Sequence, residues 1–242
     1  MLARLVAKIK HSFRRFVYRR THKMLRPRDG GYGAFGQDIF VAELLGRKKK
    51  GVFIDVGAND GVTINNTLFF EKELGWKGVA VEPLPTAYAA LCKNRTCHLL
   101  NACVANVSGS KPFLEIEGPF NMLSGLVGKY DKRHLARIDK SLRRTAGSKR
   151  EIHVECVTLP TLAERFGFSE VDFLSLDTEG GELEILRTID FQRMPVRVIS
   201  VENNYFTHDI ERYLVSQGFE CAGSFRADEI YFVPKLCAVA HP

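Results

Sequence analysis

Short apolar stretches alternate with amphipathic helical patterns along most of the chain. The apolar stretches are rich in β-branched residues and fall at residues 52–56, 79–82, 99–104, 173–176 and 196–201. Apolar residues at helical spacing lie between them, at residues 63–74, 86–92, 159–166, 182–189 and 210–217. Strands that alternate with helices are typical of βαβ units. The pattern therefore predicts an α/β fold with a mainly parallel, doubly wound sheet.

The last two predicted strands depart from this alternation. Residues 219–225 and 229–233 are separated only by a few residues around Ala227 and Asp228. A connection this short cannot carry a helical crossover, so the two strands must pair antiparallel. The sheet is therefore expected to end in an antiparallel hairpin.

The composition is that of an ordinary globular protein. The chain has 242 residues, 45% of them hydrophobic and 26% charged, which excludes collagen-like, low-complexity and wholly disordered proteins. Its six cysteines are too few for a disulfide scaffold, and they form no CxxC motif or Cys/His pair at zinc-site spacing. We interpret them as reduced, which suits a cytoplasmic protein.

The positive charge is concentrated at the N-terminus. The formal net charge of the chain is +7. The first 28 residues contain ten Lys or Arg and no acid, so the rest of the chain carries a net charge of −3. The apolar residues among them follow helical spacing: Leu2, Leu5, Val6, Ile9, Phe13, Phe16, Val17 and Met24. No run approaches the roughly 20 apolar residues of a spanning helix. We predict a basic amphipathic helix over residues 1–28.

Three roles remain open for this helix. It could anchor the protein to an anionic membrane surface through residues 1–25. It could instead pack against its own domain or a partner, or serve as an organelle transit peptide. The predicted location is therefore cytoplasmic, either free or peripheral on a membrane, with organelle import as the alternative.

The remaining chain divides into a lead-in and one domain. Residues 29–50 form a Gly-rich hinge and a lead-in helix, residues 51–235 the main domain, and residues 236–242 a tail. Within the domain, residues 118–150 form a basic insertion with few strand signals. It could cover a ligand site and bind an anionic substrate, such as a phosphate-bearing or acidic sugar, or be a solvated helix. Nucleic acid is disfavoured as a partner because no aromatic residues are interleaved with the basic ones.

The first predicted strand runs into a turn that suits a nucleotide-like ligand. Gly57, Asn59 and Gly61 lie in this turn, and Gly57 permits close approach to the backbone. Asp55, at the end of the strand, could order the loop or bind a cationic group of the ligand. Glu82 ends the next strand 21 residues after Gly61, the usual position of an acid that binds ribose hydroxyls. Because position 59 is Asn, the GxGxxG pattern of dinucleotide folds is not met.

A second cluster of polar residues follows the fourth and fifth predicted strands. Asp177, Glu179 and Glu182 lie in one strand-to-helix turn, where mutual repulsion requires a cation, a proton or helix amides as compensation. Helix-terminus electrostatics alone can account for Glu182. Asp177 and Glu179 could orient an acceptor hydroxyl, accept its proton or hold a divalent ion.

Further candidates lie at the same edge of the sheet. Glu202 and Asn203 end the fifth strand and could contact a substrate or shape a turn. His208 follows closely as a possible general base, with a capping or solvated role as the alternative.

Four strings, in this order and spacing, resemble the FkbM family of methyltransferases: FGQDIFVAELL, FIDVGANDGVTINNTLFFEKELGWKGVAVEP, LNACVAN and DFLSLDTEGGELEIL. The likeness covers about residues 35–234. It implies a Rossmann-like class I methyltransferase fold and S-adenosylmethionine as cofactor. It also implies O-methylation, often of a sugar hydroxyl in a glycan, glycolipid or related metabolite.

The resemblance also assigns roles to residues. The residues implied to line the cofactor are Asp55, Gly57, Asn59 and Gly61, with Glu82 on the ribose and Asn101 and Ala102 near the adenine. We expect catalysis by Asp177, Glu179 and His208, with Asp177 as a ligand if a metal ion assists. Two other functions remain as alternatives: an NAD-dependent oxidoreductase and a noncatalytic membrane-associated adaptor with a methyltransferase fold.

Overall fold

A computed structural model describes residues 23–130, 132–145 and 147–237. Its main sheet has seven strands. They are β1 (Val52–Val56), β2 (Lys77–Val81), β3 (His98–Leu100), β8 (Val171–Leu176), β9 (Val196–Glu202), β10 (Glu220–Phe225) and β11 (Asp228–Phe232). Their spatial order is β3-β2-β1-β8-β9-β11-β10.

The strand directions confirm the predicted α/β architecture. The five strands from β3 to β9 are parallel, whereas β11 pairs antiparallel with both β9 and β10. The predicted antiparallel hairpin is therefore correct, and its second strand enters the sheet between β9 and β10. All five parallel strands present their carboxyl ends at one edge, which is where ligands bind in such sheets.

Seven α-helices are present in the described residues: α1 (Gln37–Leu44), α2 (Leu68–Leu74), α3 (Pro85–Asn94), α4 (Lys132–Thr145), α5 (Leu159–Phe166), α6 (Glu182–Leu186) and α7 (Asp209–Ser216). Apolar residues of α5, α6 and α7 pack on one face of the main sheet, against side chains such as Ile54 and Leu174. Those of α1 and α2 pack on the other face, against Phe53 and Phe173. Because the strands are covered on both faces, their apolar runs are nearly continuous.

The helix predicted over residues 63–74 is shorter than expected. It begins at Leu68, because Asn65 Oδ1 accepts hydrogen bonds from the backbone N–H groups of Thr67 and Leu68. Upstream, Asp60 accepts from the N–H groups of Val62 and Thr63 and holds the chain in a turn. These Asn and Asp side chains offer the backbone an alternative to helical hydrogen bonds.

The single strand predicted over residues 99–104 is wrong, since it divides between two sheets. Residues 98–100 belong to the main sheet, and β4 (Cys103–Val104) joins a second sheet of four strands. The other strands of this second sheet are β5 (Gly109–Ile116), β6 (Gly125–Leu126) and β7 (Lys149–Val157). We call residues 109–157 the inserted unit, because they separate β4 from α5. Its helix α4 packs Ile138 against Ile116 and Leu123 of the same unit.

The chain enters the fold along the free edge of β10. Lys23 and Leu25 exchange backbone hydrogen bonds with Ser224, and Met24 forms a parallel bridge to it. Residues 23–28 are therefore not helical, contrary to the prediction of a helix through residue 28, and residues 1–22 lie outside the described part of the chain. No helix in the described residues is long and apolar enough to cross a membrane.

Candidate functional site

A cleft opens at the carboxyl ends of β1, β2 and β8. It contains about 630 Å³ of empty space, open solvent included. The main sheet contributes Gly57, Asn59 and Glu82 on one side and Asp177 and Glu179 on the other. Ala102, just before β4, and Cys103 of β4 also line the cleft, together with Phe113, Asn121 and Met122 of the inserted unit. The structure thus brings the turn after β1 and the carboxylates after β8 into one cleft.

Gly57 is the point where the turns after β1 and β8 touch. Its φ is 81°, in the left-handed region, and a Cβ atom there would lie 2.0 Å from the carbonyl oxygen of Asp177. Only glycine fits this backbone-to-backbone contact. Gly57 therefore fixes the distance between the two halves of the cleft.

Glu82 holds the loop after β1 in position. One carboxylate oxygen accepts from the backbone N–H of Asn59 at 2.9 Å and the other from that of Leu84 at 2.9 Å. Burial raises the pKa of Glu82 to about 7. Each oxygen keeps a second lone pair, so the carboxylate can still accept hydroxyl hydrogen bonds from a ligand in the cleft.

Asn101 and Ala102 differ in their position relative to the cleft. Ala102 lines it. The Asn101 amide instead donates to the carbonyl oxygens of Glu82 at 2.8 Å and Pro83 at 3.1 Å. Asn101 thus orders the loop after β2 and is not among the lining residues.

Asp55 and Gly61 also lie behind the cleft. Asp55 accepts hydrogen bonds from Asn65 at 2.8 Å and Thr67 at 2.7 Å, and Arg95 Nη1 lies 3.7 Å from its carboxylate. A Cβ at Gly61 would meet the Arg95 side chain at 2.6 Å. Neither residue lines the cleft, so the contacts favour the loop-ordering role that the sequence left open for Asp55.

Three carboxylates meet at the opposite side of the cleft. Asp177, Glu179 and Glu202 each place one oxygen atom so that the three lie within 4.8 Å of one another. The Asn204 amide bridges two of them, donating to Glu179 at 3.2 Å and to Glu202. Asp228 lies directly opposite Glu202 in the β9–β11 ladder. We call Asp177, Glu179, Glu202 and Asp228 the carboxylate cluster.

Burial and mutual repulsion favour the protonated forms of the carboxylate cluster. Burial, reinforced by neighbouring carboxylates, raises the pKa of Asp177 to about 7 and that of Glu179 to about 8, and raises the pKa of Glu202 well above its ordinary value. Burial likewise raises the pKa of Asp228 to about 6. The hydrogen bond with Glu202 lowers the pKa of Asp177, and Asp177 lines the cleft, so it is the carboxyl of this pair that a ligand can reach. When deprotonated, the carboxylates of Asp177, Glu179 and Glu202 could hold a divalent ion through the three oxygens that lie close together.

The inserted unit adds residues that the sequence analysis missed. His134 of α4 is buried, with Nδ1 3.5 Å from Glu179 Oε2, and its ring packs on Tyr130. The charge of Arg137 also acts on Glu179. Asn121 donates a hydrogen bond to Asn59 Oδ1 at 3.4 Å and so links the inserted unit to the loop after β1. The only sequence signal was the basic character of the insertion.

Glu182 and two of the predicted site residues, Asn203 and His208, have structural partners. Glu182 accepts from Thr178 and from the Gly180 backbone at 2.8 Å and so orders the turn after β8. Asn203 is buried and donates to Thr207 O and Glu229, which corresponds to the turn-shaping alternative. His208 Nδ1 lies 2.9 Å from Glu211 Oε2, and His208 does not line the cleft. The structure therefore favours the solvated alternative for His208 over the general base.

Comparison with known proteins supports one family. The family model of the methyltransferase FkbM domain matches residues 55–221, more than half of the chain. No curated protein matches the chain.

Similar solved structures are more distant. An FkbM methyltransferase from Methylobacillus flagellatus has a TM-score of 0.43 and 14% identity over 76% of this chain, which spans only 43% of that protein. The N-terminal domain of human METTL16 has a TM-score of 0.45 and 13% identity, with 81% and 67% of the two chains covered. The precorrin-6y C5,15-methyltransferase of Geobacter metallireducens has a TM-score of 0.41 and 12% identity, with 88% and 92% covered.

Proposed function

The chain belongs to the FkbM methyltransferase family, and we propose that it transfers a methyl group from S-adenosylmethionine to a hydroxyl of a sugar, glycan, glycolipid or related small molecule. One observation carries the proposal: Gly57, Asn59 and Glu82 share a cleft with Asp177 and Glu179. The first three suit a nucleoside, and the last two suit a hydroxyl that must lose its proton.

Three lining residues support S-adenosylmethionine as the ligand of the cleft. Gly57 keeps the floor free of side-chain atoms, and Glu82 presents its carboxylate for the ribose hydroxyls. Ala102 gives a small apolar wall for the adenine. When bound, the cofactor supplies an electrophilic methyl group on a sulfonium centre. The protein therefore needs no nucleophilic residue of its own.

The carboxylate cluster prepares the acceptor. Asp177 accepts the hydrogen bond of the acceptor hydroxyl and takes its proton as the new C–O bond forms. The proton of Glu202 hydrogen-bonds Asp177 and stabilises its charged form until the acceptor arrives. Asn204 holds Glu179 and Glu202 in fixed positions, so the acceptor meets a preorganised site.

A divalent ion is a second way to activate the acceptor. The oxygens of Asp177, Glu179 and Glu202 are spaced closely enough to share one ion. Such an ion would replace the protons of the cluster and lower the pKa of a hydroxyl bound to it. Asp177 would be its central ligand.

The basic side chains of α4 suggest that the acceptor carries negative charge. Arg137, Lys140 and Arg144 project from α4 as exposed or half-buried residues. Because the charge of Arg137 already acts on Glu179, a phosphate or acidic sugar on an acceptor bound at the carboxylate cluster would be attracted to this end of α4 first. The proposed role of residues 1–25 on an anionic membrane surface is compatible with a lipid-linked acceptor.

We expect S-adenosylhomocysteine to stabilise the protein. At about 100 times its dissociation constant a ligand adds roughly 2.7 kcal/mol to the free energy of unfolding, which corresponds to several degrees in Tm. The measurement is thermal unfolding with the ligand, with NAD as control. A shift with NAD alone would support an oxidoreductase, and no shift with either ligand would support the noncatalytic adaptor.

Glu82→Ala is expected to weaken S-adenosylhomocysteine binding by about 10- to 100-fold, because the variant loses the hydrogen bonds from the ribose hydroxyls to a charged carboxylate. Because Glu82 also orders the loop, the variant should be compared on S-adenosylhomocysteine and its 2′-deoxyribose analogue by calorimetry. If Glu82 binds the ribose, the wild type discriminates between the two ligands and the variant does not. Equal discrimination by both proteins would contradict the ribose role and leave only loop ordering.

A further inference from the structure

Two cysteines face each other in the wall of the cleft. Cys103 of β4 and Cys156 of β7 are direct partners in a parallel ladder, so their side chains project from the same face. Neighbouring parallel strands lie about 4.8 Å apart, within the Cα separations of about 4.4–6.8 Å that disulfides span. Both cysteines are reduced, and their thiols are in hydrogen-bond contact.

Access and chemistry single out this pair. Cys103 lines the cleft, whereas Cys156 is fully buried behind it. The hydrogen bond between the two thiols lowers the pKa of Cys156, with the nearby charge of Lys111 acting in the same direction, and, together with burial, it raises the pKa of Cys103. In contrast, burial raises the pKa of both Cys97 and Cys221 to about 12. Because the thiolate is the reactive form, Cys156 is the more nucleophilic member of the pair, and its bond to the facing Cys103 should form before Cys97 or Cys221 is oxidised.

The strand that carries Cys103 is short and lies at the edge of its sheet. β4 has only two residues and lies at the edge of the second sheet, paired to β7 alone. Closing a bond between the two sulfurs therefore displaces only one short edge strand of the second sheet relative to β7.

We propose that Cys103 and Cys156 form a redox-active dithiol that peroxide reaches through the cofactor cleft. Hydrogen peroxide oxidises one thiol to a sulfenic acid and releases one water. The second thiol then displaces a second water as the S–S bond forms. The two sulfurs lose two electrons in total, peroxide is reduced, and a thiol reductant reverses the reaction.

The route through the cleft rests on the proposed function, because it assumes that S-adenosylmethionine or its product occupies the cleft. Because Cys103 lines the cleft, a bound ligand would cover its sulfur. Oxidation would then proceed only in the ligand-free fraction of the protein. A bound ligand at about 100 times its dissociation constant should slow disulfide formation at least tenfold.

Peptide mapping of the full chain after peroxide treatment tests the dithiol. The tryptic peptide that carries Cys103 also carries Cys97, so the experiment uses Cys97→Ala as its background. We expect a linked peptide containing Cys103 and Cys156 under nonreducing conditions. Cys156→Ala, which keeps the buried site apolar, should abolish the link. The matched variant Cys92→Ala, at an exposed cysteine, should leave it unchanged.

The same sample is examined with S-adenosylhomocysteine, with NAD as control. Slower linkage with S-adenosylhomocysteine alone supports access through the cleft. The dithiol proposal is overturned if peroxide oxidises Cys92 and no Cys103–Cys156 link forms. Access through the cleft is overturned if the rate of link formation is unchanged while thermal unfolding shows that the ligand is bound. If S-adenosylhomocysteine causes no thermal shift, the result counts against the proposed function. The presence or absence of the Cys103–Cys156 link still tests the dithiol proposal in that case.

Discussion

Gly57→Ala is expected to abolish S-adenosylhomocysteine binding, with a loss of more than 100-fold in affinity. The added methyl carbon would lie 2.0 Å from the Asp177 carbonyl oxygen, so the turns after β1 and β8 must separate. The left-handed backbone adds about 1–2 kcal/mol of strain for any residue with a Cβ. We expect a total loss of about 2–4 kcal/mol in the free energy of unfolding. Calorimetry and urea denaturation measure the two effects.

Gly75→Ala is the matched control. Gly75 also has a positive φ, of 65°, but no atom lies within 4 Å of its missing Cβ. This variant should lose only the strain of about 1–2 kcal/mol and bind the ligand normally. Our account of Gly57 would be wrong if the two variants lost equal stability and Gly57→Ala still bound S-adenosylhomocysteine.

The free energy of unfolding is expected to fall as pH rises from 5 to 8. The carboxyls of Glu82, Asp177, Glu179 and Asp228 have folded-state pKa values of about 6 to 8, against 3.8 or 4.5 as unperturbed groups. Above pH 5 the unfolded chain has already released these protons while the native state retains them. Their stabilisation is therefore complete below the unfolded pKa and is lost as pH rises through the folded pKa.

Each retained proton contributes at most about 1.4 kcal/mol per pH unit. Because solvent reaches Asp177 and screens it, we expect a total loss of about 2 kcal/mol between pH 5 and 8. Urea denaturation at several pH values, with a chelator present, measures it. Adding Mg²⁺ at pH 8 restores the lost stability if the cluster binds a divalent ion.

Glu202→Gln tests whether the cluster causes this pH dependence. The amide keeps the size of the side chain and removes one titrating group, so its curve should be flatter and its stability at pH 8 higher than wild type. Glu170→Gln, at an exposed carboxylate paired with Arg197, is the control and should not change the slope. A wild-type stability that is constant or rises from pH 5 to 8 would contradict the proposed proton sharing.

The main sheet was predictable because its strands are covered on both faces. Buried parallel strands such as β1 and β8 have nearly continuous apolar runs, and these stand out between helical patterns. The second sheet was missed because its strands are half exposed. In β7, buried or half-buried Ile152, Val154 and Cys156 alternate with exposed residues, and this period of two was a signal that the chain offered.

The candidate site was predictable where its residues follow strands directly. Gly57, Glu82 and Asp177 all lie just beyond a strand end of the main sheet, so topology alone brings them together. His134 could not be found in this way, because it reaches Glu179 only through the packing of α4 on its own unit. The outward placement of His208 likewise depends on its contact with Glu211, which spacing does not reveal.

The pairing of residues 23–25 with Ser224 has a practical consequence for shortened forms of the protein. This segment covers the exposed backbone of β10, and unpaired edge strands promote intermolecular strand addition and aggregation. Removing residues 1–22 would test membrane attachment while the edge stays covered. Removing three residues more would uncover Ser224, and self-association of that shorter chain could then be mistaken for an effect on membrane binding.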